Sequence, residues 1–257
     1  MSTRAFTRAL VTGASSGLGD TYARTLAADG VDLVVVARST DKLTALRDEL
    51  DVDVEVITAD LLDPTALQKV ADRLRAAPPV DLLINNAGFG GDRPYHKADL
   101  DAELSQVGIH ITAMMTLTHA ALRAMRASGA GGGILNVSSI AGFQPLPGMA
   151  TYAACKAYET TWSEAVRLEN INAGVHVTAV CPGFVDTPMV RDAEGTSAVP
   201  DRLLLSPETV VAESLRGVAE NKAVVVPGRT WKAATAVTQS LPRSATRALV
   251  RGFGKLA

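Results

Sequence analysis

Residues 9–19 read Ala9-Leu10-Val11-Thr12-Gly13-Ala14-Ser15-Ser16-Gly17-Leu18-Gly19. Three apolar, β-prone residues run into a glycine-rich turn, and a helical pattern follows to about residue 28. A strand, such a turn and a helix start form the arrangement that seats a dinucleotide pyrophosphate. Glycines let the backbone turn tightly and let phosphate come close. The helix N-terminus adds free N–H groups and a positive dipole end. Gly13, Ser15, Ser16, Gly17, Leu18 and Gly19 are therefore candidate phosphate-binding residues. Their spacing is Gly-x-x-x-Gly-x-Gly, not the commoner Gly-x-Gly-x-x-Gly. A turn of this kind can also be purely structural; its place after the first strand favours binding.

Outward from this stretch, strands and helices alternate. Residues 31–37 read as a second strand, apolar almost throughout and so buried on both faces. It ends at Arg38. Dinucleotide folds place an acid here to bind the adenosine ribose, whereas a nearby Arg accommodates a 2′-phosphate. The planar guanidinium suits phosphate, so Arg38 points to NADP(H), with NAD(H) as the second choice; a solvated Arg at a strand end is the plain alternative. Residues 40–50 read as a helix and 52–59 as a third strand ending at Asp60-Leu61. Asp60 can accept from an adenine amino group or help start the helix at Asp63-Pro64, a good N-cap and first-turn pair. Residues 81–84 form a fourth strand running into Asn85-Asn86-Ala87-Gly88. Residues 99–127 read as one long helix containing His110. Residues 134–137 form a fifth strand ending at Ser138-Ser139, and residues 175–180 a sixth ending at Cys181-Pro182-Gly183. Such alternation predicts parallel strands joined by right-handed crossovers. Ligands of these sheets bind at the carboxyl ends of the strands, where every motif named here falls.

Composition agrees with one α/β domain over 1–257. The chain has 257 residues, 47% hydrophobic and 20% charged, with a formal net charge of −2. Nothing in that charge suggests a nucleic-acid partner. Two cysteines, Cys155 and Cys181, favour a reducing compartment over a disulfide framework. The start of the chain has no signal-peptide pattern, and no apolar run approaches the ~18 residues of a membrane span. The expected location is the cytoplasm. Residues 189–206 are irregular and could form a flap over a substrate or a plain surface loop. Residues 207–219 read as a helix and 223–226 as a last strand. The tail from 230 to 257 mixes Lys232, Arg243, Arg247, Arg251 and Lys255 with apolar residues. It packs on its own domain or, as the lesser alternative, lies on a membrane.

Tyr152 and Lys156 stand four apart in a helical stretch, on one face and one turn apart. A phenol holds its proton until pH ~10. A cation one turn away favours the phenolate, and a tyrosine so tuned can trade protons with a carbonyl or alcohol oxygen. Chance alone also produces such pairs.

Taken together these residues resemble the classical short-chain dehydrogenases/reductases. The matching pieces are Thr12-Gly13-x-x-x-Gly17-x-Gly19, Asp60, Asn85-Asn86-Ala87-Gly88, Ser139, Tyr152-x-x-x-Lys156 and Pro182-Gly183-x-x-x-Thr187, in the family's order and spacing. The end of the second strand and the Val226-Pro227-Gly228 tail look like its short-subunit (DltE-like) subgroup. The resemblance implies a Rossmann-type, doubly wound three-layer sandwich with a seven-stranded parallel sheet. It implies a nicotinamide cofactor, Tyr152 as acid/base, Lys156 on the nicotinamide ribose and Ser139 on the substrate oxygen. Backbone near Val185 and the Thr187 hydroxyl would hold the carboxamide, and Leu61, Asn86, Ala87 and Gly88 would border the cofactor. His110 falls where the family usually has an Asn that relays protons to the lysine. Its imidazole would replace that Asn, substitute for it structurally, or mark weakened activity.

The expected function is an NADP(H)-dependent oxidoreductase acting on a carbonyl/secondary alcohol of an apolar small molecule. The alternative is a catalytically weak NADP(H)-binding regulatory protein of the same fold. The resemblance implies a homodimer or homotetramer. No metal site is expected.

Overall fold

The computed structural model describes residues 6–91, 93–191 and 200–253. The central strand β1 (Arg8–Thr12) is buried along its whole length. Arg8 survives there because its guanidinium meets Asp32 at 2.8 Å and Asp53 at 2.9 Å, beside the starts of the next two strands. β1 leads into α1 (Gly17–Ala28), then β2 (Asp32–Ala37), α2 (Thr40–Asp48), β3 (Val54–Thr58) and α3 (Pro64–Arg73). Asp63 caps α3 as its position predicts: its carboxylate accepts from the Ala66 N–H at 2.7 Å, and Pro64 fills the first turn.

The second half begins with β4 (Leu82–Asn85). α4 (Leu100–Val107), a π-helical turn (Gly108–Ala113) and α5 (Met114–Ser128) follow without a break. Residues 99–127 are therefore not the one uniform helix their pattern predicts. The wider turn sits at His110, where close contacts steer the chain: a Cβ on Gly108 would stand 2.8 Å from Leu62. β5 (Gly132–Val137), α6 (Ala150–Asn170), β6 (Val175–Val180), α7 (Pro188–Arg191), α8 (Pro207–Ala219) and β7 (Val224–Val225) complete the sheet and its cover.

All strand pairings are parallel, in the order β3-β2-β1-β4-β5-β6-β7. This is the doubly wound arrangement, with its topological switch between β1 and β4. Each face carries its own apolar cluster. One gathers Tyr22 and Leu26 of α1 with Val211 and Leu215 of α8. The other gathers Val70 of α3 with Leu117 and Ala121 of α5. Burying one Leu-sized side chain contributes ~1.5–3 kcal/mol, against ~1 kcal/mol for a helix cap, so packing holds these helices on the sheet and the caps set where they start.

The expected flap falls partly on residues 192–199, outside the described residues. Its flanks are α7 and a segment held by a bridge between Val185 and Leu205. The tail forms two helices, α9 (Arg229–Ser240) and α10 (Arg243–Phe253); α9 packs on the turn Ile140–Phe143. Lys255 and the Arg251 side chain lie outside the described residues. Among those described, no helix is long and apolar enough to cross a membrane.

Candidate active site

The glycine turn earns its shape from backbone angles. Gly13 and Gly17 have φ of +68° and +55°, the left-handed region that L side chains rarely adopt. Gly19 has a different job. A Cβ there would sit 2.1 Å from the Gly13 carbonyl, so its bareness lets α1 fold back under the turn. Ser16, the N-cap of α1, makes no side-chain cap. The first N–H groups of the helix therefore lack the usual capping partner beside the open cleft.

Thr12 joins the two halves of the sheet at the switch point. Its hydroxyl donates to the Ile84 carbonyl at 3.3 Å and accepts from the N–H groups of Asn86 and Ala87 at 2.9 and 3.0 Å. The Asn86 side-chain amide donates to the Thr12 carbonyl at 2.8 Å. Asn85 turns inward and donates to Thr118 and Asn136. These amides build the wall, and Asn86, Ala87 and Gly88 present it to the cleft.

That cleft has a volume of about 820 Å³, within the usual range for sites that bury a ligand of cofactor or drug size. Every candidate residue lines it except Gly19, which packs behind the turn. Ser15, Ser16, Gly17 and Leu18 form one end. Arg38 lies at the end of β2, with Asp60 and Leu61 just past the end of the neighbouring strand β3. The Asp60 carboxylate accepts from the Leu62 N–H at 3.0 Å, so it shapes the loop as well as facing the cleft. Lys42 also lines this end, a second cation beside Arg38. The structure thus offers a glycine cradle, a helix N-terminus and two cations to a dinucleotide. No cluster among the described residues has the makings of a metal site.

At the other end stand Ser139, Tyr152, Lys156 and His110. Tyr152 lies in the first turn of α6, and Lys156 follows one turn on, as their spacing predicts. Lys156 is only 5% exposed, and its ammonium is 5.5 Å from the Tyr152 ring centre. It donates to the Val137 carbonyl at 2.8 Å and to both Glu159 oxygens at 2.9 and 3.1 Å. Burial alone would lower the lysine's pKa, but the Glu159 carboxylate, with Tyr152 and Cys155, leaves it above its ordinary value. His110 sits edge-on to Tyr152, ring centres 5.5 Å apart. Burial first, and the Lys156 ammonium second, push its imidazole below the ordinary value, against the pull of Glu159 and the Phe89 carbonyl. The Ser139 hydroxyl oxygen accepts from the Ala141 N–H at 3.1 Å, which leaves its own proton to donate into the cleft.

Pro182, Gly183, Val185 and Thr187 close the far wall. Behind Gly183 lies Trp231 of α9, its ring 2.4 Å from where a Cβ would stand. Three contributors escaped sequence reasoning: Glu159, Lys42 and Trp231. Glu159 follows Lys156 by one helical turn, so spacing alone could have raised it; Lys42 stands in the first turn of the helix after Arg38. Trp231 carries no local signal. Cys155 and Cys181 are buried free thiols, pushed up by burial to about 11.

The family model described as short chain dehydrogenase matches residues 7–197. The sulfoacetaldehyde reductase 2 of Chromohalobacter salexigens is 36% identical over 212 residues, covering 80% of this chain and 84% of that protein. The short-chain dehydrogenase from Sphingobium yanoikuyae, solved in complex with NADPH, is 33% identical with a TM-score of 0.81, covering 91% and 93% of the two chains. The bulky-bulky ketone specific alcohol dehydrogenase from Comamonas testosteroni is 30% identical with a TM-score of 0.77, covering 92% and 95%.

Proposed function

The chain belongs to the short chain dehydrogenase family, and we propose that it is an NADP(H)-dependent reductase of apolar ketones or aldehydes, with Tyr152 as acid/base. One observation carries this reading: Ser139, Tyr152 and Lys156 share a cleft with the glycine turn and Arg38. When bound, the nicotinamide supplies or accepts the hydride. Gly13, Ser15, Ser16, Gly17 and Leu18 hold the pyrophosphate, and Asp60 and Leu61 flank the adenine. Arg38 and Lys42 take the 2′-phosphate, where two cations suit NADP(H) better than NAD(H). Asn86, Ala87, Gly88, Pro182, Gly183, Val185 and Thr187 border the rest of the cofactor.

Ser139 donates its hydroxyl proton to the substrate oxygen and stabilises the charge that develops there. Tyr152 gives its phenolic proton to the same oxygen during reduction and takes it back during oxidation. Lys156 stabilises the negative charge left on Tyr152. Phe89 lines the cleft, and Met149 and the Tyr152 ring both stand 3.5 Å from the Cβ position of Gly90, apolar surface that favours an apolar carbonyl. The ketone named for the Comamonas relative agrees with such a site. Retention of the whole Ser139, Tyr152 and Lys156 set argues against a binding-only regulator.

The protein is further proposed to act as one domain with its flap near 189–206, in the cytoplasm, as a homodimer or homotetramer. Leu100, Leu104, Met115 and Leu168 are exposed on α4, α5 and α6 and would lie in the interface. Light scattering of the pure protein tests the oligomer.

The reaction is tested by mixing the protein with NADPH and a broad panel of ketones and aldehydes. Carbonyl-dependent oxidation of NADPH is expected, and Tyr152→Phe should lower kcat by ~100-fold or more while cofactor binding persists. Absence of turnover across the panel, with no cofactor binding by calorimetry, would overturn the proposal.

A further inference from the structure

Glu159 lies at the floor of the site, 4% exposed. Its Oε1 is 3.1 Å from His110 Nδ1, while Lys156 holds both of its oxygens. The other nitrogen of the same ring, Nε2, is 2.7 Å from the Phe89 carbonyl. A carbonyl oxygen only accepts, so Nε2 carries a proton and donates it. An ionised carboxylate also only accepts. A neutral imidazole with its proton on Nε2 would therefore turn a bare lone pair onto Oε1. The other neutral tautomer would turn one onto Phe89 at closer range. Flipping the ring would present carbon to both oxygens. The contacts are satisfied only when one more proton lies between Nδ1 and Oε1.

We propose that Lys156, Glu159 and His110 form one buried unit of net charge +1 that stores a proton for Tyr152, with Glu159 as its positioning residue. The charge follows from the count: the ammonium contributes +1, and the His110–Glu159 pair with its shared proton is neutral overall. The shared proton lies on the 3.1 Å contact between Nδ1 and Oε1. The other titratable groups around the unit are Tyr152 and Cys155 on α6, Cys181 after β6, and Glu103 of α4, which acts on Cys155.

The proton balance is simple. During reduction the Tyr152 O–H bond breaks and an O–H bond forms on the substrate oxygen. Lys156 releases one proton toward the Tyr152 oxygen, which restores the phenol. The stored proton then crosses from the His110–Glu159 contact, by way of the carboxylate, to Lys156 Nζ. This leaves Glu159 ionised and His110 neutral until solvent water returns one proton. Oxidation runs the same path backwards.

This role for the unit rests on Tyr152 being the acid/base, but the stored proton itself does not, and the test separates the two. Cofactor-free protein labelled with 15N-histidine and 13Cδ-glutamate is followed by NMR; His110→Asn and Glu159→Gln identify the two resonances. At pH 8 the pair should hold two protons, one on Nε2 and one shared between Nδ1 and Oε1. A singly protonated imidazole beside a fully ionised Glu159 would overturn the stored proton.

For the functional half, Glu159→Gln keeps the shape. It can accept from Lys156 and donate to Nδ1, but it has no acidic proton to release. It should leave Tm unchanged and the NADPH Kd within about threefold of the parent while lowering kcat about tenfold. Glu159→Asp, which restores a carboxyl, should recover part of that loss. An unchanged kcat in folded, cofactor-binding Glu159→Gln would overturn the positioning role. Two bound protons in a protein that turns over no carbonyl would refute the assigned reaction and leave the proton count standing.

Discussion

Lys156 illustrates how little freedom a single residue has in this site. An ion taken out of water costs several kcal/mol unless it is paired and hydrogen-bonded. Two carboxylate oxygens and the Val137 carbonyl supply that compensation. The spacing of Tyr152 and Lys156 was legible in the sequence, since four residues make one helical turn. The partner that keeps the lysine charged was not. Lys156 and Glu159 alone look like a solvated surface pair; what buries them includes His110, 49 positions from Glu159. Arg38 is the opposite case, an exposed cation legible from its place at a strand end. Its proposed partner is the 2′-phosphate, and charge-assisted hydrogen bonds of that kind contribute ~1.5–3 kcal/mol. Arg38→Asp should therefore lower the NADP(H)/NAD(H) ratio of kcat/KM by ~10- to 100-fold. An unchanged ratio would remove Arg38 from cofactor choice.

Helices show what periodicity can and cannot reveal. The starts of α3 and α8 were legible because each has a capping residue followed by proline: Asp63-Pro64 and Ser206-Pro207. The Ser206 hydroxyl accepts from the Thr209 N–H at 3.2 Å. Ser206→Ala should cost ~1 kcal/mol in urea denaturation, because the Thr209 N–H loses its capping acceptor. The π turn between α4 and α5 could not be read this way. An apolar pattern continues through it, and the extra residue per turn depends on how Gly108 seats against Leu62 and how His110 reaches Phe89. Turns of this type recur at functional sites, where they re-aim one side chain. Here that side chain is His110, whose unusual identity was visible in sequence and whose seat was not.

Across the whole molecule, buried protons make the fold sensitive to base. Cys155 and Cys181 ionise near pH 11 when folded, against ~8.5 for a free thiol. A group that holds its proton more tightly in the folded state stabilises the fold fully below the unfolded value and loses that contribution as pH rises through the folded one. The raised Lys156 acts in the same direction. These groups should therefore leave stability untouched up to about pH 8.5 and lower it between there and pH 11, by on the order of 3 kcal/mol for Cys181 and less for Cys155, at ~1.4 kcal/mol per pH unit. Denaturant midpoints across this range check it, and Cys181→Ala should flatten the decline. Parallel pairing and the site's edge of the sheet followed from alternation of elements in the sequence. The closure of the site by α9 did not, because nothing local links Trp231 to Gly183.

That closure has an optical consequence. The chain has two tryptophans. Trp162 stacks on Tyr158 along α6, with ring centres 6.4 Å apart. Trp231 presses its indole on Gly183, meets Phe184 edge-on and donates its N–H to the Leu203 carbonyl at 3.0 Å. One glycine thus separates an indole fluorophore from the cleft. In a Trp162→Phe variant the remaining emission should report a reduced nicotinamide directly, by energy transfer, with no label attached. A titration with NADPH that leaves this emission unchanged, while calorimetry shows binding, would place the nicotinamide away from Gly183.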